Sequence, residues 1–383
     1  MHELQAFHIM AKPRGPICNL ACDYCYYLQK KDLYPGSNFR MTREVLESYI
    51  QQTIAAHPGP DVTFSWQGGE STLMGLKFFE SVVQIQNKHM QPCEHIINAF
   101  QTNGININSE WCHFFKDNNF LVGISLDGPP ALHNAYRQSN SGFEKFDKVI
   151  RAINLLKKHR VNFNILCCVH QANVHHPMEV YQFLRDTIGA KFIQFIPIVQ
   201  LIPDPNKPGD VAPSELSVNG LDYGKFLQTI FDIWVQQDVG KVFVQIFDVA
   251  LGVWIGQPAS LCIFTETCGN ALALEHNGDL YACDHFVAPE YLLGNITNTP
   301  LADLINSEQQ AAFGLNKQSS LPEQCLQCDI HFICNGGCPN NRDQQGLNYL
   351  CEGYQLFFRH IDQPMQIMAD LLKNRRAPAE IMQ

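Results

Sequence analysis

The distribution of cysteines constrains this chain more than any other feature of its sequence. There are 15 cysteines in 383 residues. Three of them, Cys18, Cys22 and Cys25, lie near the beginning, and eight occur from Cys262 onward. An odd number of cysteines without an export signal argues against a disulfide framework, which belongs to oxidising compartments. The two groups therefore indicate metal or iron–sulfur ligation in a reducing compartment.

Composition limits the class of protein. The chain is 45% hydrophobic and 17% charged, so it can bury a large core and is not a disordered segment. Its net charge of −10 makes it a poor candidate for wrapping nucleic acid. The N-terminus lacks the apolar stretch of a signal peptide. The longest uncharged stretch, Val249–Thr265, is interrupted by Gly252, Gly256 and Pro258, which makes it a poor membrane-spanning helix. We predict a soluble, cytoplasmic protein without nucleic-acid or membrane partners.

Short β-rich runs alternate with helical patterns in the N-terminal half. The candidate strands are Ala6–Ala11, Val62–Trp66, Ile96–Phe100, Leu121–Ser125, Val161–Val169 and Phe192–Pro197. The candidate helices are Thr42–Ala56 with Thr42 as N-cap, Leu76–Met90, Glu110–Asn118, Gly142–His159 and Met178–Ile188. This alternation predicts an α/β fold with parallel strands. Six βα units are too few for a closed eight-fold barrel, so an open partial barrel and a doubly wound sheet both fit.

The C-terminal half differs in its composition and in its predicted elements. A turn-rich boundary at Pro203–Pro213 precedes a predicted helix, Leu221–Gln237. From Cys262 the chain is rich in Cys, Gly and Asn, which indicates a small domain stapled by metal. Tyr354–Asn374 predicts a C-terminal amphipathic helix. We expect domains at residues 1–200 and 261–383, joined by a linker and bridging helix at 201–260.

The first three cysteines form a CxxxCxxC triplet just after the first candidate strand. Three thiolates leave one iron of a 4Fe–4S cluster open to bind a substrate or cofactor. Zinc would require a fourth ligand nearby. With Tyr24 before the third cysteine, the triplet resembles the signature of the radical S-adenosylmethionine (SAM) enzymes. The resemblance implies a partial (β/α)6 barrel whose open iron binds SAM and whose reductive cleavage yields a 5′-deoxyadenosyl radical.

The resemblance extends to candidate SAM-binding residues near the ends of candidate strands. Gln67-Gly68-Gly69-Glu70 is similar to the family's GGE motif, which holds the methionine amino group. The Gly pair would allow close backbone approach to a ligand, and an isolated Gly pair is otherwise a turn. Ser125 and Arg137 would fix polar parts of SAM, and Arg137 would pair with its carboxylate, with a surface ion pair as the alternative. Ile198 would pack on the adenine or belong to the core. The full implied set is Tyr24, Gln67, Gly68, Gly69, Glu70, Ser125, Asp127, Arg137 and Ile198.

The later cysteines are sufficient for two Cys₄ clusters. Their spacing resembles the SPASM extension of radical SAM enzymes, which carries two auxiliary 4Fe–4S clusters; two structural zincs are the alternative. Spacing alone leaves the division open. The family pattern implies that one cluster is held by Cys262, Cys268, Cys283 and Cys338, and the other by Cys325, Cys328, Cys334 and Cys351. The remaining cysteines are predicted to be structural: Cys93, Cys112, Cys167 and Cys168.

A closer resemblance is to the anaerobic sulfatase-maturating enzymes. Four stretches carry it: Pro16–Leu28, Trp66–Leu73, Ser125–Gly128 and Tyr281–Phe286. It implies oxidation of a Cys or Ser to Cα-formylglycine in an unfolded sulfatase segment, Cys/Ser-x-Pro/Ala-x-Arg. It also implies Asp284 as the catalytic base beside an auxiliary cluster, with a backbone-capping Asp as the alternative. An electron donor such as flavodoxin or ferredoxin is the other expected partner. Ser71 departs from the Pro that is common after the GGE motif.

Two other functions compete with this interpretation. Another SPASM enzyme could form a thioether or carbon crosslink in a ribosomal peptide with the same clusters. Such enzymes often carry an N-terminal leader-binding domain, whereas this chain reaches its triplet by Cys18. A non-catalytic iron–sulfur carrier or zinc scaffold would not need an open-iron triplet combined with six βα units.

Overall fold

The structure is a computed structural model that describes residues 7–92, 94–138, 145–204, 207 and 210–383. Cys93, Ala6 and residues 142–144 of the predicted helix lie outside the described residues. So do residues 205–206 and 208–209 of the turn-rich boundary. Among the described helices, none combines the length and apolar character needed to cross a membrane.

The strands and helices alternate through the first half of the chain. The strands are β1 His8–Lys12, β2 Asp61–Trp66, β3 His95–Thr102, β4 Leu121–Ser125, β5 Phe163–Val169, β6 Phe192–Pro197, β7 Leu201–Pro203, β8 Val211–Pro213, β9 Phe243–Val244, β10 Ala271–Glu275, β11 Asp279–Tyr281 and β12 Leu292–Asn295. The helices are α1 Arg43–Ala56, α2 Leu76–His89, α3 Ser109–Asp117, α4 Pro130–Asn134, α5 Phe146–Lys158, α6 Pro177–Gln182, α7 Gly220–Gln237, α8 Gln245–Trp254, α9 Leu301–Ile305, α10 Glu308–Ser319, α11 Glu323–Leu326, α12 His331–Cys334 and α13 Cys351–Lys373.

The elements predicted from periodicity are present with small shifts of their ends. β4 and β6 have the predicted bounds, and β5 begins at Phe163 rather than at Val161. Thr42 caps α1 as predicted, since its Oγ1 accepts a hydrogen bond from the Val45 N–H at 3.3 Å. The helix predicted to run to Ile188 is α6 followed by a π-helical turn at Phe183–Thr187.

The chain forms two compact units from interleaved segments. The first comprises Met1–Ser125, Arg137–Phe163 and Cys268–Leu315, and the second comprises Leu126–Tyr136, Asn164–Thr267 and Asn316–Gln383. The predicted linear domain boundaries stay a prediction.

The first unit has a sheet in the strand order β12-β11-β10-β1-β2-β3-β4. From β10 through β4 all neighbours are parallel, and β11 and β12 are antiparallel additions. β10 lies alongside β1 in register from His8↔Ala271 to Lys12↔Glu275. These three strands, β10 to β12, were not predicted from the sequence, because they are short and the pairing partner of β10 is at the other end of the chain. The cysteine-rich segment therefore contributes directly to the sheet.

The second unit contains the parallel strands β5, β6 and β9 and the β7–β8 hairpin. Its longest helices, α7 and α13, pack at glycines. A Cβ on Gly224 would lie 2.6 Å from the Gly353 carbonyl oxygen, so only glycine permits this close approach. Buried aromatic side chains, including Phe231, Trp234 and Phe357, fill the core beside these helices.

Candidate active site

The Cys18–Cys25 triplet lies in the loop that follows β1, and its three thiols are partly buried. The Cys18 Sγ accepts a hydrogen bond from the Leu20 N–H at 3.3 Å. Burial and then the charge of Glu70 raise the pKa of Cys18 to about 12, and nearby Cys25 contributes in the same direction. The protein alone thus keeps this thiol protonated, and a bound metal would have to supply the charge that holds a thiolate there. A donor set of three thiols in one loop fits a cluster with one open iron.

The Gly68–Gly69 pair packs against the chain that leads into the triplet. Gly68 has φ +94° and Gly69 has φ +42°, both in the left-handed region that favours glycine. A Cβ on Gly69 would lie 2.2 Å from the Ile17 carbonyl oxygen. The Glu70 N–H donates to that same oxygen at 2.9 Å. Sequence reasoning expected close approach to a ligand, whereas the contact described here is with the protein's own backbone.

Glu70 is buried and connects several neighbouring segments. Its carboxylate accepts hydrogen bonds from Thr72 Oγ1 at 2.7 Å, Thr102 Oγ1 at 2.8 Å and the Asn103 N–H at 2.9 Å. Burial raises its pKa despite these bonds. Asn103 also donates through Nδ2 to Asn19 Oδ1 at 2.7 Å. Glu70 therefore links the ends of β2 and β3 to the triplet loop.

Arg137 is buried, which excludes the surface ion pair considered as its alternative role. Its guanidinium lies 5.4 Å from the centre of the Tyr24 ring, within the range of a cation–π contact. Ser125 ends β4, and its Oγ accepts a hydrogen bond from Gln101 Nε2 at 3.1 Å. The Gln67 N–H donates to the carbonyl of Ala11 in β1 at 2.9 Å. The first unit thus places Gln67 and Ser125 at the ends of β2 and β4, and Arg137 beside the triplet loop through Tyr24.

Two predicted cofactor residues lie in the second unit. Asp127 is fully buried, and its Oδ1 accepts from the Cys168 N–H at 2.9 Å. This bond ties Asp127 to the backbone of β5. Ile198 is half-buried, and its N–H donates to the Val169 carbonyl at 2.8 Å. Their contact with SAM stays a prediction. Cys167 and Cys168 are buried in β5, as is Cys112 in α3.

Asp284 is buried and has two close partners. It forms an ion pair with Lys12, and its Oδ2 accepts a hydrogen bond from the Tyr26 hydroxyl at 2.5 Å. Burial alone would raise the pKa of Asp284, but the Lys12 charge, with further contributions from His285 and the hydrogen bonds, holds it below the usual range. The carboxylate is therefore ionised at neutral pH.

The pairing of β10 with β1 explains why these side chains meet. Lys12 ends β1 and is the register partner of Glu275, and the antiparallel β11 returns the chain toward Asp284. Burial, the charge of Asp284 and the hydrogen bond raise the pKa of Tyr26, so the phenol stays protonated. Sequence reasoning missed Lys12 and Tyr26. Their closeness to the triplet was the available signal, since Tyr26 directly follows Cys25.

A second cysteine cluster is formed within the second unit. Four thiols line one cavity: those of Cys325, Cys328, Cys334 and Cys351. The Gln355 Nε2 lies 3.6 Å from the Cys351 sulfur and 3.7 Å from that of Cys328. Burial is the first cause that raises the pKa of Cys334 to about 12 and that of Cys351 to about 11. A closed set of four thiols fits a 4Fe–4S cluster without an open iron.

The other four predicted auxiliary ligands are divided between the units. Cys268 and Cys283 belong to the first unit and are partly buried. Cys262, which is exposed, and Cys338, which is partly buried, belong to the second. Their joint ligation of one cluster stays a prediction. Within the described part of the chain, no three His, Cys, Asp or Glu side chains are spaced to hold a single metal ion.

Comparison with known proteins identifies the family. Residues 13–184 match the radical SAM superfamily, and residues 262–329 match an iron–sulfur cluster-binding domain, SPASM. A serine-type anaerobic sulfatase-maturating enzyme of Bacteroides thetaiotaomicron is 44% identical over 98% of this chain and 94% of its own. The chain belongs to the anaerobic sulfatase-maturating enzymes.

Other matches agree with this assignment. A cysteine-type anaerobic sulfatase-maturating enzyme of Clostridium perfringens is 34% identical over 92% of this chain and 95% of its own. The solved structure of native anSMEcpe with bound AdoMet and Cp18Cys peptide has a TM-score of 0.87 at 33% identity, covering 96% of this chain and 100% of that one. The predicted family, the fold of a radical SAM domain followed by a SPASM domain, and the enzyme class are confirmed for this sulfatase-maturating enzyme.

Proposed function

We propose how the described residues divide the work of one reaction, the oxidation of a sulfatase's active-site cysteine or serine to Cα-formylglycine. Membership in the family assigns this reaction to the protein, a radical SAM oxidoreductase. The similar solved structure contains AdoMet and a peptide, which supports a peptide substrate here. We take that substrate to be an unfolded sulfatase segment, Cys/Ser-x-Pro/Ala-x-Arg.

The proposed cofactors are SAM and three 4Fe–4S clusters. Cys18, Cys22 and Cys25 would hold the first cluster. The two auxiliary clusters would use the interleaved sets Cys262, Cys268, Cys283 and Cys338, and Cys325, Cys328, Cys334 and Cys351. When bound, the reduced first cluster and SAM supply a carbon radical that can take a hydrogen atom from the substrate Cβ. An external electron donor such as flavodoxin or ferredoxin would supply the reducing electron.

Several residues of the chain would hold SAM in place for that step. Arg137, buried next to Tyr24, would pair with its carboxylate, and Ser125 would bind another polar group. Glu70 already links two strand ends to the triplet loop, so its role is at least to position that loop. This positioning matters because the cofactor does the difficult chemistry and the protein orients it.

Asp284 would act as the base for the substrate thiol or hydroxyl. Lys12 keeps it ionised, and Tyr26 binds Oδ2, which orients the carboxylate. A carboxylate of low pKa is a weak base toward an ordinary thiol, whose pKa is about 8.5. The proton becomes far more acidic once the adjacent Cβ is a radical, so transfer is favoured at that moment. Cys283 precedes Asp284, and a cluster held there would supply a one-electron acceptor beside it. A serine would then already be the aldehyde, whereas a cysteine would be a thioaldehyde that water hydrolyses to the aldehyde with release of hydrogen sulfide.

Anaerobic incubation with peptides tests the proposal. The reconstituted enzyme, SAM and a chemical reductant are mixed with Cys-x-Pro-x-Arg and Ser-x-Pro-x-Arg peptides, and with an Ala peptide as control. Mass spectrometry after hydrazide trapping should detect an aldehyde in at least one reactive peptide and none in the control. Cofactor cleavage without aldehyde in either peptide would contradict the proposal. A product that loses two hydrogens and does not react with hydrazide would favour crosslink formation instead.

A further inference from the structure

The turn at Cys262–Thr265 is held by a buried lysine of the same unit. Lys317, fully buried in the last turn of α10, donates through Nζ to the carbonyl of Cys262 at 2.9 Å and to that of Ile263 at 3.0 Å. It also donates to the carbonyl of Thr265. A lysine ammonium has three N–H donors, and this geometry uses all three on one turn. Burying such a charge is costly without hydrogen bonds, so these three bonds are what stabilises the ammonium in its buried position.

A second buried side chain completes the set. Asn335 donates through Nδ2 to the carbonyl of Phe264 at 2.8 Å. All four successive carbonyls of Cys262–Thr265 thus accept hydrogen bonds from these two side chains. Asn335 has a left-handed backbone (φ 46°) and directly follows Cys334, a proposed ligand of the other auxiliary cluster. The turn is therefore tied to the segment that carries Cys334.

Arg342 hydrogen-bonds to the backbone of the lysine and of a neighbouring loop. Its Nη1 donates to the Lys317 carbonyl at 2.8 Å, and its Nε donates to the Gly336 carbonyl at 3.1 Å. The end of α10 is thereby joined to the loop between Cys334 and Cys338. The backbone at Lys317 is therefore fixed by hydrogen bonds, as is the turn that its side chain binds.

Cys262 is an exposed residue. The backbone turn that carries it therefore contributes to placing its sulfur. Hydrogen bonds and charges near iron–sulfur clusters also set their reduction potentials. A cation near an anionic cluster favours the reduced state, which carries one more negative charge.

We propose that Lys317 is a positioning residue that fixes the Cys262 turn and raises the reduction potential of the cluster held by Cys262. The inference rests on the proposed function, specifically on Cys262 as a cluster ligand. It assigns to Lys317 a role in the oxidative half of the reaction, in which the substrate's electron needs an acceptor.

The test uses the full-length, anaerobically reconstituted enzyme without substrate. Lys317→Met keeps much of the side-chain length and removes the donors and the charge. Lys225→Met, at an exposed position of α7, is the matched control. We expect Lys317→Met to lose up to about four irons per chain, one cluster's content. In the molecules that keep this cluster, its midpoint potential should shift to more negative values in an EPR-monitored redox titration. SAM cleavage should stay within about twofold of the native rate, because the first cluster is untouched.

A second variant keeps the proposal testable if Lys317→Met does not fold. Asn335→Ala removes one donor to the same turn but leaves the charge, so it should lose iron from the same cluster without shifting a potential. Native iron content and potentials in Lys317→Met, or native iron content in Asn335→Ala, would overturn the inference. Loss of every cluster together with SAM cleavage would also overturn it, because Lys317 would then serve the fold in general.

Cys262→Ala separates failure of the inference from failure of the proposed function. If Cys262→Ala keeps all its iron, the ligand assignment in the proposed function fails. If Cys262→Ala loses iron while Lys317→Met matches the native enzyme, only the inference about Lys317 fails.

Discussion

The Cys18–Cys25 triplet and the quartet Cys325, Cys328, Cys334 and Cys351 are positioned in different ways. The triplet lies in a loop at the strand ends of a parallel sheet. Gly69 packs against the Ile17 carbonyl at the start of this loop, and the Glu70 N–H donates a hydrogen bond to the same carbonyl. The quartet lies on and beside helices, without a sheet. Cys325 and Cys334 lie in α11 and α12, which have only four residues each, Cys328 follows α11, and Cys351 is the first residue of the 23-residue α13.

The difference shows which interactions hold each site in its folded conformation. Strand ends in a well-packed sheet form a frame that exists before any cofactor binds. Helices of one turn are too short to be stable alone, so side-chain donors and a bound cluster must hold them. Gln355, Arg342 and Asn348 are such donors around the quartet and the adjoining loop. The triplet should therefore depend on the fold, and the quartet on its metal and on polar side chains.

The largest expected effect comes from removing the triplet. Replacing Cys18, Cys22 and Cys25 with Ala should abolish SAM cleavage and reduce iron from about 12 to about 8 per chain. The reason is that, in the proposed ligand assignment, the quartet and the remaining thiols hold clusters separate from that of the triplet. Iron analysis and 5′-deoxyadenosine assays measure both results. Complete loss of iron would show that the two regions are not independent.

Asp284→Asn should separate radical formation from product formation. The amide keeps the shape and removes the basicity, so aldehyde yield should fall on the order of 10²-fold, as for other positioned bases. Iron content and SAM cleavage should remain near native values, since the triplet is intact. Asp279→Asn, a change in the same sheet at β11, is the control. An unchanged aldehyde yield would show that Asp284 takes no part in the reaction. Loss of iron together with the aldehyde would show that Asp284 has a structural role.

Gly69→Ala tests the dependence of the triplet on the fold. Alanine is strained at φ +42°, and its Cβ would collide with the Ile17 carbonyl. The free energy of unfolding should fall by about 2 to 4 kcal/mol, and SAM cleavage should be impaired while the quartet keeps its iron. Gly59→Ala is the control, because nothing lies within 4 Å of its added Cβ. Native SAM cleavage in Gly69→Ala would argue against this packing role.

Metal removal should affect the quartet more than the triplet loop. In chelated protein, amide exchange in α11 and α12 should accelerate by about tenfold or more, since one-turn helices lose their anchor. Exchange in the triplet loop should change less, because Glu70 and Asn103 still hold it. Hydrogen-exchange mass spectrometry compares the two regions in one sample. Equal acceleration of amide exchange in both regions would show that the triplet loop depends on its metal as much as the quartet does.

The smallest effect is expected from an exposed ion pair near the quartet. The hydrogen bonds from Arg359 lower the pKa of Asp329 to about 2. A depressed carboxyl pKa stabilises the fold above the unfolded value of about 3.9, and this contribution is lost as the pH falls toward 2. In Arg359→Gln the pKa of Asp329 should rise, as followed by NMR, with no measurable loss of stability at neutral pH because solvent and salt screen the pair. Loss of iron in this variant would show that the pair helps to hold the cluster.

Local sequence patterns were enough to predict many of the elements and much of the chemistry of this chain. Cysteine spacing indicated cluster ligation, period and capping located α1 and β4, and motif resemblance identified the family. Each of these signals is contained in a few neighbouring residues, so no knowledge of the fold was needed. The choice of Asp284 rested on its position directly after Cys283 and on the match of that segment to the family's catalytic Asp.

The contacts between residues far apart in the sequence become visible in the folded chain alone. The pairing of β10 with β1 brings Lys12 to Asp284, and the close contact of Gly69 with Ile17 explains a glycine that was expected to face a ligand. Lys317 is one of several lysines in the sequence, and only the fold places it beneath the Cys262 turn. Such contacts join segments far apart in the chain, where periodicity and spacing carry no signal. They depend on the strand register and helix packing that the whole chain adopts.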